Sequence, residues 1–379
     1  MEDGSVPVIG IGASAGGLEA LQEFFDNMPY DTGMAFIVIQ HLSPDYKSLM
    51  DELLSRVTSM KIFKVEDGMK VSPDCIYLIP PRKNMTIFHH KLFLEPQNSS
   101  HGLNLPIDIF LRSLAKDMGK NAIGIILSGT GSDGTMGIRA IKEAGGMVMA
   151  QDNRSAKFDG MPRSSISTGL VDYILTPAKM PQELINYIKH PFIKKPDKAE
   201  TALSEDEDLL SRIIMIIRDN TGIDFTFYKE STIIRRLEKR ISINHLSNIA
   251  EYVNFLNGNV FEVNILYKEL LIGVTRFFRD LEAFEILKEK VIPEIFDKKN
   301  PRDQLRIWSV GCSTGEEAYS LSMMLHEYME ENNINLDVKI FATDIDKEAL
   351  EFAGAGIFPE SIVSDISPEV LSKYFTRKE

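Results

Sequence analysis

The feature that most constrains this chain is a rhythm: from Val6 to about Tyr187, short β-branched runs alternate with amphipathic helical stretches. Such alternation is the pattern of βαβ units, and therefore of a parallel sheet covered by helices. The runs VPVIGIG, MAFIVIQ, CIYLIP, IGIILS, GMVMAQ and VDYIL read as strands, with LEALQEFFDN and IDIFLRSLAKDM among the helices between them. A doubly wound, mostly parallel α/β domain is predicted for residues 1–190. Residues 191–208 read as a linker, because the stretch from about Lys194 to Asp208 is charged, contains Pro196 and holds no aromatic residue. Helical patterns follow in LLSRIIMIIRDNTG, STIIRRLEKRISINH, IAEYVNFLNGN and VNILYKELLIGV, predicting a helical subdomain over 209–275. A second α/β rhythm, with strands RIWSVG and VKIFATD around the helix EEAYSLSMMLHEYMEENN, occupies 276–379. Sheets usually have about four to six strands, so a domain showing only two is expected to be a truncated one.

Composition excludes several function classes. The 379 residues are 44% hydrophobic and 26% charged, which is enough to fill globular cores. The longest apolar runs stop near half a dozen residues, against the roughly 20 needed to span a membrane. The acidic start MEDGSVPVIG has no basic segment or cleavage site of a secretory signal, and a cytoplasmic protein is expected. Cys75 and Cys312 are far apart with no metal-spaced partners, so neither a disulfide framework nor a metal centre is predicted, and both are expected to be buried. A net charge of −13 argues against nucleic acid as a partner.

The segment VIGIGASAGGLEAL fits two templates. As G-x-G-x-x-A (Gly10, Gly12, Ala15) it is a dinucleotide-binding turn, its glycines letting a pyrophosphate approach a helix N-terminus. As G-x-S-x-G (Gly12, Ser14, Gly16) it is a nucleophile elbow that exposes a serine hydroxyl. The first reading wants an acid at the end of the second strand. That strand, AFIVIQHL, ends instead in Gln40 and His41, and an imidazole there is what a serine nucleophile needs as general base. The third strand-end loop, GIILSGTGSDGTMGIRAIKEAG, supplies Asp133 among Gly129, Gly131 and Gly134. Each element also has an ordinary reading, as packing, phosphate binding or a lone polar residue.

GIGASAGG, IVIQHLSP, ILSGTGSDGTMGI and DGMPRSSISTGL together resemble the catalytic domain of the CheB family, the protein-glutamate methylesterases of bacterial chemotaxis. The resemblance covers about residues 5–187 and implies a triad of Ser14, His41 and Asp133. It further implies hydrolysis of glutamate methyl esters, deamidation of glutamine through the same acyl enzyme, and no cofactor for the esterase. Two departures stand out. Ala15 follows the serine where the family often carries threonine, and the chain starts directly at the catalytic strand where a receiver domain usually precedes it.

RIWSVGCSTGEEAYS gives a strand, a turn between Gly311 and Gly315, and a helix opening with Glu316 and Glu317; VKIFATDID ends its strand in Asp344. An acidic strand end fits a nucleoside, while acids at the helix start make phosphate unwelcome, so a cationic, phosphate-free cofactor such as S-adenosylmethionine is expected. The acids could equally serve only the helix dipole. TGIDFTFYKESTIIRRLEKR, GVTRFFRD, WSVGCSTGEEAYSLSM and ATDID resemble the CheR family of protein-glutamate methyltransferases over about residues 205–379. That resemblance implies cofactor contacts from Thr275, Arg279, Glu317 and Asp344, with Gly273 standing where the family usually has asparagine. A truncated domain is expected to be a poor methyltransferase or none.

Arg235, Arg236, Lys239 and Arg240 share one face of the predicted helix, to be read as a solvated face or, by the CheR resemblance, as a receptor-docking face. The whole is expected to be a CheB-CheR hybrid acting on a chemoreceptor or related sensory protein, with a sensor histidine kinase system as a further partner. The alternatives are a non-catalytic scaffold that binds receptors or a signalling kinase, and a nucleotide-dependent oxidoreductase using the first turn.

Overall fold

The computed structural model describes residues 6–41, 50–97, 104–194, 207–298 and 303–378. They divide into two compact units, one formed by Leu105–Ile272 with the described residues up to Gln97, the other starting at Gly273.

The first unit is built on ten strands: β1 (Val8–Ala13), β2 (Ala35–Gln40), β3 (Lys61–Lys64), β4 (Met69–Lys70), β5 (Cys75–Leu78), β6 (Lys83–Phe88), β7 (Lys91–Pro96), β8 (Ile123–Ile126), β9 (Met147–Gln151) and β10 (Tyr173–Leu175). Seven form one sheet in the order β10-β9-β8-β1-β2-β5-β3, every pairing parallel. The central strands are continuously apolar because both their faces are covered. Leu21, Phe24, Phe25, Leu184 and Tyr187 pack on one face. Ile107, Phe110, Leu111, Leu114, Ile138 and Ile141 pack on the other. Complete burial of side chains this size stabilises by roughly 1.5–3 kcal/mol each. Gly10 and Gly12 are where helix and sheet approach most closely: a Cβ at Gly10 would lie 2.7 Å from Leu111, and one at Gly12 would lie 2.5 Å from Ile107. The architecture is the expected doubly wound α/β fold.

Two features depart from the sequence reading. β3 is an additional edge strand, and β4, β7 and β6 form a separate antiparallel sheet. The β6–β7 turn is made by His89 and His90, at φ 48° and 58°, with the Asp117 carboxylate accepting both their amides. In the proposed linker, Pro191–Lys194 is helical and residues 195–206 lie outside the described residues.

Four helices, Glu207–Thr221, Glu230–Ile243, Ile249–Asn257 and Val260–Leu270, enclose Ile213, Ile217, Phe225, Leu237, Ile241, Tyr252, Val263 and Leu266. Asn248 and Asn259 cap the last two by accepting the amides of Glu251 and Glu262.

Three of the four residues on the basic face of Glu230–Ile243 are neither solvated nor open to a receptor, and the fourth, Arg235, is half-buried. Arg236, Lys239 and Arg240 are buried at 5%, 2% and 4% exposure. Lys239 Nζ lies 3.0 Å from Asp172, beside Lys142 Nζ at 2.7 Å from the same carboxylate, and Glu269 pairs with both lysines. Arg236 donates to the Lys142 carbonyl at 2.9 Å, and Arg240 pairs with Glu262. Cations buried this deeply need partners, and here the partners come from the α/β domain and from the neighbouring helix.

In the second unit β11 (Gln304–Val310) and β12 (Asp337–Thr343) pair in parallel. Leu305, Met324, Leu325 and Leu336 fill one face, while Trp308, Val310 and Phe341 on the other are more than half exposed. Among the described residues no helix is long and apolar enough to cross a membrane.

Candidate functional site

β1 and β8 are neighbours whose connections leave in opposite directions, which opens a crevice at their C-terminal ends. Ser14 follows β1, His41 follows β2, and Asp133 lies in the loop after β8. At the foot of helix Gly17–Asp26, Gly16 takes φ 70° and caps the turn. The Ser14 amide donates to the Ser128 carbonyl at 2.9 Å, tying the two turns together.

The structure brings the three residues into one hydrogen-bonded series. His41 Nδ1 lies 3.2 Å from Ser14 Oγ, and His41 Nε2 lies 2.8 Å from Asp133 Oδ2. With the proton on Nε2 donated to the carboxylate, Nδ1 is free to accept the serine proton. Relative to serine proteases the ring nitrogens exchange roles without changing the chemistry. The site grades from solvent to core: the His41 side chain is 33% exposed and that of Asp133 2%. Asp133 is held from behind, because Ile107 N donates to its Oδ2 at 3.0 Å and Asp108 N to its Oδ1 at 2.9 Å.

The segment DGMPRSSISTGL forms the opposite wall. Met161 N donates to the Gly129 carbonyl and Gly129 N to the Phe158 carbonyl, both at 2.9 Å. Ser128 Oγ bridges the Ala15 and Phe158 carbonyls. Leu42, Ser43 and Pro44, the end of the second motif, lie outside the described residues. Sequence reasoning missed Asp108, a buried acid next to the series whose carboxyl is pushed up to about 8, first by burial and then by the charge of Asp133. Both cysteines are free and buried, and burial raises their thiols. Among the described residues no cluster of His, Cys, Asp and Glu is arranged to hold a metal ion.

In the second unit Glu317 and Asp344 lie near the adjacent ends of β11 and β12. Ser309 Oγ donates to Glu317 at 2.8 Å. Asp344 accepts the Ser313 amide at 2.7 Å and the Asp346 amide at 2.9 Å, which fixes the glycine turn. Thr275 and Arg279 sit on a loop joined to that turn by the bond from Ser313 Oγ to the Gly273 carbonyl, 3.2 Å, and Arg279 donates to the Val274 carbonyl on its own loop. Open space adjoins Gly311, where an added Cβ would meet nothing within 4 Å. Carboxylate acceptors around an open glycine turn fit the hydroxyls and positive charge of S-adenosylmethionine and repel a phosphate. A separate cavity of about 660 Å³, lined by Gly315, Tyr319, His326, Ile340 and Ala353, does not include Glu317 or Asp344.

A serine, an imidazole and a buried carboxylate in series at the switch point of a doubly wound sheet have the geometry of an acyl-transfer hydrolase. Comparison with known families makes the assignment particular. Residues 9–184 match the family described as CheB methylesterase. Residues 208–271 match the CheR methyltransferase all-alpha domain, and 273–379 the CheR methyltransferase SAM binding domain. The chain thus joins a CheB methylesterase domain to the CheR all-alpha and SAM binding domains, methylesterase and methyltransferase modules of the chemotaxis type.

Relatives span both parts. An uncharacterized 104.1 kDa protein of Rhodobacter capsulatus is 38% identical over 350 residues, covering 87% of this chain and 37% of its own. A chemotaxis protein methyltransferase of Borreliella burgdorferi is 38% identical over 176 residues, 45% of this chain and 62% of its own. A protein-glutamate methylesterase/protein-glutamine glutaminase of Photorhabdus laumondii is 31% identical over 185 residues, 48% of this chain and 53% of its own. The chain thus spans less than two thirds of each of these curated relatives.

Proposed function

We propose that residues 1–190 are a protein-glutamate methylesterase in which Ser14 is the nucleophile, His41 the general base and acid, and Asp133 the residue that orients the imidazole. The observation that carries this reading is the unbroken series from Ser14 Oγ through both ring nitrogens of His41 to Asp133, at 3.2 and 2.8 Å.

His41 Nδ1 takes the proton as Ser14 Oγ bonds to the ester carbonyl carbon. The tetrahedral intermediate collapses, the bond from carbon to the methoxy oxygen breaks, and His41 returns the proton to give methanol. Water then attacks the acyl enzyme with His41 again as base, releasing glutamate and restoring the serine hydroxyl. The same acyl enzyme reached from glutamine, with ammonia leaving, gives deamidation. The amides of Ser14, Gly17 and Gly129 are engaged within the fold, so the oxyanion donors come from the other amides of the two turns.

In the second part, 209–275 is the helical subdomain and 276–379 the cofactor domain, separated from the esterase by 191–208. Thr275, Arg279, Glu317 and Asp344 would hold S-adenosylmethionine, which when bound supplies an activated methyl group. A glutamate side chain, which ordinarily titrates at about 4.3, is already ionised at neutral pH and needs no base to accept it, so these residues orient and do not move protons. The substrate is a chemoreceptor or related sensory protein with methylated glutamates, met in the cytoplasm, with a sensor histidine kinase system as a further partner.

The test is methanol release from a methyl-labelled chemoreceptor fragment. Release by this chain that falls at least about a thousandfold in Ser14→Ala is expected, given what loss of a triad member generally costs. Equal release from both proteins would remove Ser14 from the mechanism.

A further inference from the structure

We infer that Asp108 is a positioning residue for the triad, a buried neutral carboxylic acid that locks the first turn of helix Pro106–Met118 to the loop carrying Asp133. The inference rests on the esterase reading and adds to it a residue outside the Ser-His-Asp series.

Its geometry links two elements through one residue. The backbone amide of Asp108 donates to Asp133 Oδ1 at 2.9 Å, and its side-chain Oδ1 accepts the Gly137 amide at 2.6 Å. The helix start is thereby fastened to both ends of the segment 133–137, and with it the Ile107 amide that holds the other Asp133 oxygen. Asp108 is 2% exposed, and its Oδ2 is buried without a hydrogen-bond partner. A charged oxygen in that position would be costly, whereas a protonated one is tolerable.

The charges acting on Asp108 are Asp133, across the loop, and Arg112, on its own helix; beyond Asp133 lies His41. Two neighbouring buried carboxyls resist ionising together. Asp133 spends both oxygens on His41 and on two amides, whereas Asp108 Oδ2 has no hydrogen-bond partner, and burial and the charge of Asp133 outweigh the Gly137 and Gly134 amides and Arg112, so the proton belongs on Asp108. Burial and the charge of Asp133 carry its titration to about 8. Below that pH the two side chains coexist. Above it, a second negative charge behind Asp133 drives the helix start and the loop apart, and His41 loses its aim.

The test labels Ser14 with a fluorophosphonate, which needs the activated serine but no methyl ester. Ser14 Oγ bonds to phosphorus, the P–F bond breaks, fluoride leaves, and His41 takes the serine proton. Labelling rates are followed between pH 6 and 10 (about four units around the expected break) in the whole chain, in Asp108→Asn and in Asp108→Ala, with Ser14→Ala as blank. The maximal rate should fall at least about tenfold in Asp108→Ala with reagent affinity unchanged, the signature of lost positioning. Asp108→Asn, which keeps an acceptor for Gly137 and cannot ionise, should label within about twofold of the parent at pH 7 and lack the parent's decline above about 8. If Asp108→Asn shows the same alkaline decline as the parent, or Asp108→Ala labels at the parental rate, the inference is overturned while the esterase reading stands. Failure of the parent to label at Ser14 would overturn both.

Discussion

Gly129 has no side chain, and the space for one is already occupied. A Cβ there would lie 2.2 Å from Met161 Sδ and 2.9 Å from Ser14 Cβ, and Met161 is fully buried, so it cannot swing away. Gly129→Ala should therefore press on Ser14 itself. The expected outcome is a loss of about 1–3 kcal/mol in stability together with a fall in ester hydrolysis that exceeds the fraction unfolded. Thermal melting and methanol release measured on one preparation separate the two, and a variant that melts early yet turns over normally would show that the strain dissipates away from the serine. At this scale the candidate triad was legible because each residue lies in the turn or loop that follows a strand of an evident βαβ rhythm. Asp108 was not legible: it sits inside the apolar pattern IDIFLRSL as an ordinary first-turn acid, and only the folded loop shows that it faces a second carboxyl.

Strands and helices were readable where their apolar pattern is strong, and misread where tertiary contacts supply what the sequence lacks. The β6–β7 hairpin carries no Asn-Gly or Asp-Gly signal; two histidines adopt left-handed backbone, and Asp117, from a distant helix, accepts both their amides. β3, the sequence KIFK, is a mixed edge strand with mostly exposed residues. The basic helix face was misjudged for a related reason, since Asp172 and Glu269 lie far away in sequence. Burial opposes the charge of Lys142, but the carboxylates of Asp172 and Glu269 outweigh it and hold its pKa above the usual lysine range; burial dominates at Lys239 and pushes it down to about 7. Glu269→Ala would leave two buried lysines sharing one carboxylate. It should destabilise by about 3–5 kcal/mol in chemical denaturation of the whole chain, because an uncompensated buried charge remains. A change below about 1 kcal/mol, typical of exposed pairs, would mean that water reaches the cluster.

For the whole molecule, the decisive fact is that the buried apolar clusters do not mix residues of the two units. Three apolar clusters of the first unit draw on residues from Val8 to Leu270 and two of the second on residues from Phe277 to Phe375, so each site is supported by side chains of its own unit. This division was partly visible in the sequence, where helical periodicity separates two α/β rhythms, but the attachment of the helical subdomain to the esterase was not, because it depends on ion pairs without local pattern. A separation of chemistry follows. Glu317 is exposed beside the Gly311–Gly315 turn and accepts the Ser309 hydroxyl, so Glu317→Ala removes an acceptor without emptying a core. Calorimetric titration with S-adenosylmethionine should then show affinity lowered by about tenfold or more, as expected for a lost hydrogen bond to a charged group. Methanol release should be unchanged in the same protein, while Ser14→Ala should bind the cofactor like the parent and release nothing. If Glu317→Ala also slowed the esterase, cofactor binding and ester hydrolysis would be coupled through the chain, and the two units could not be treated as independent supports for their sites.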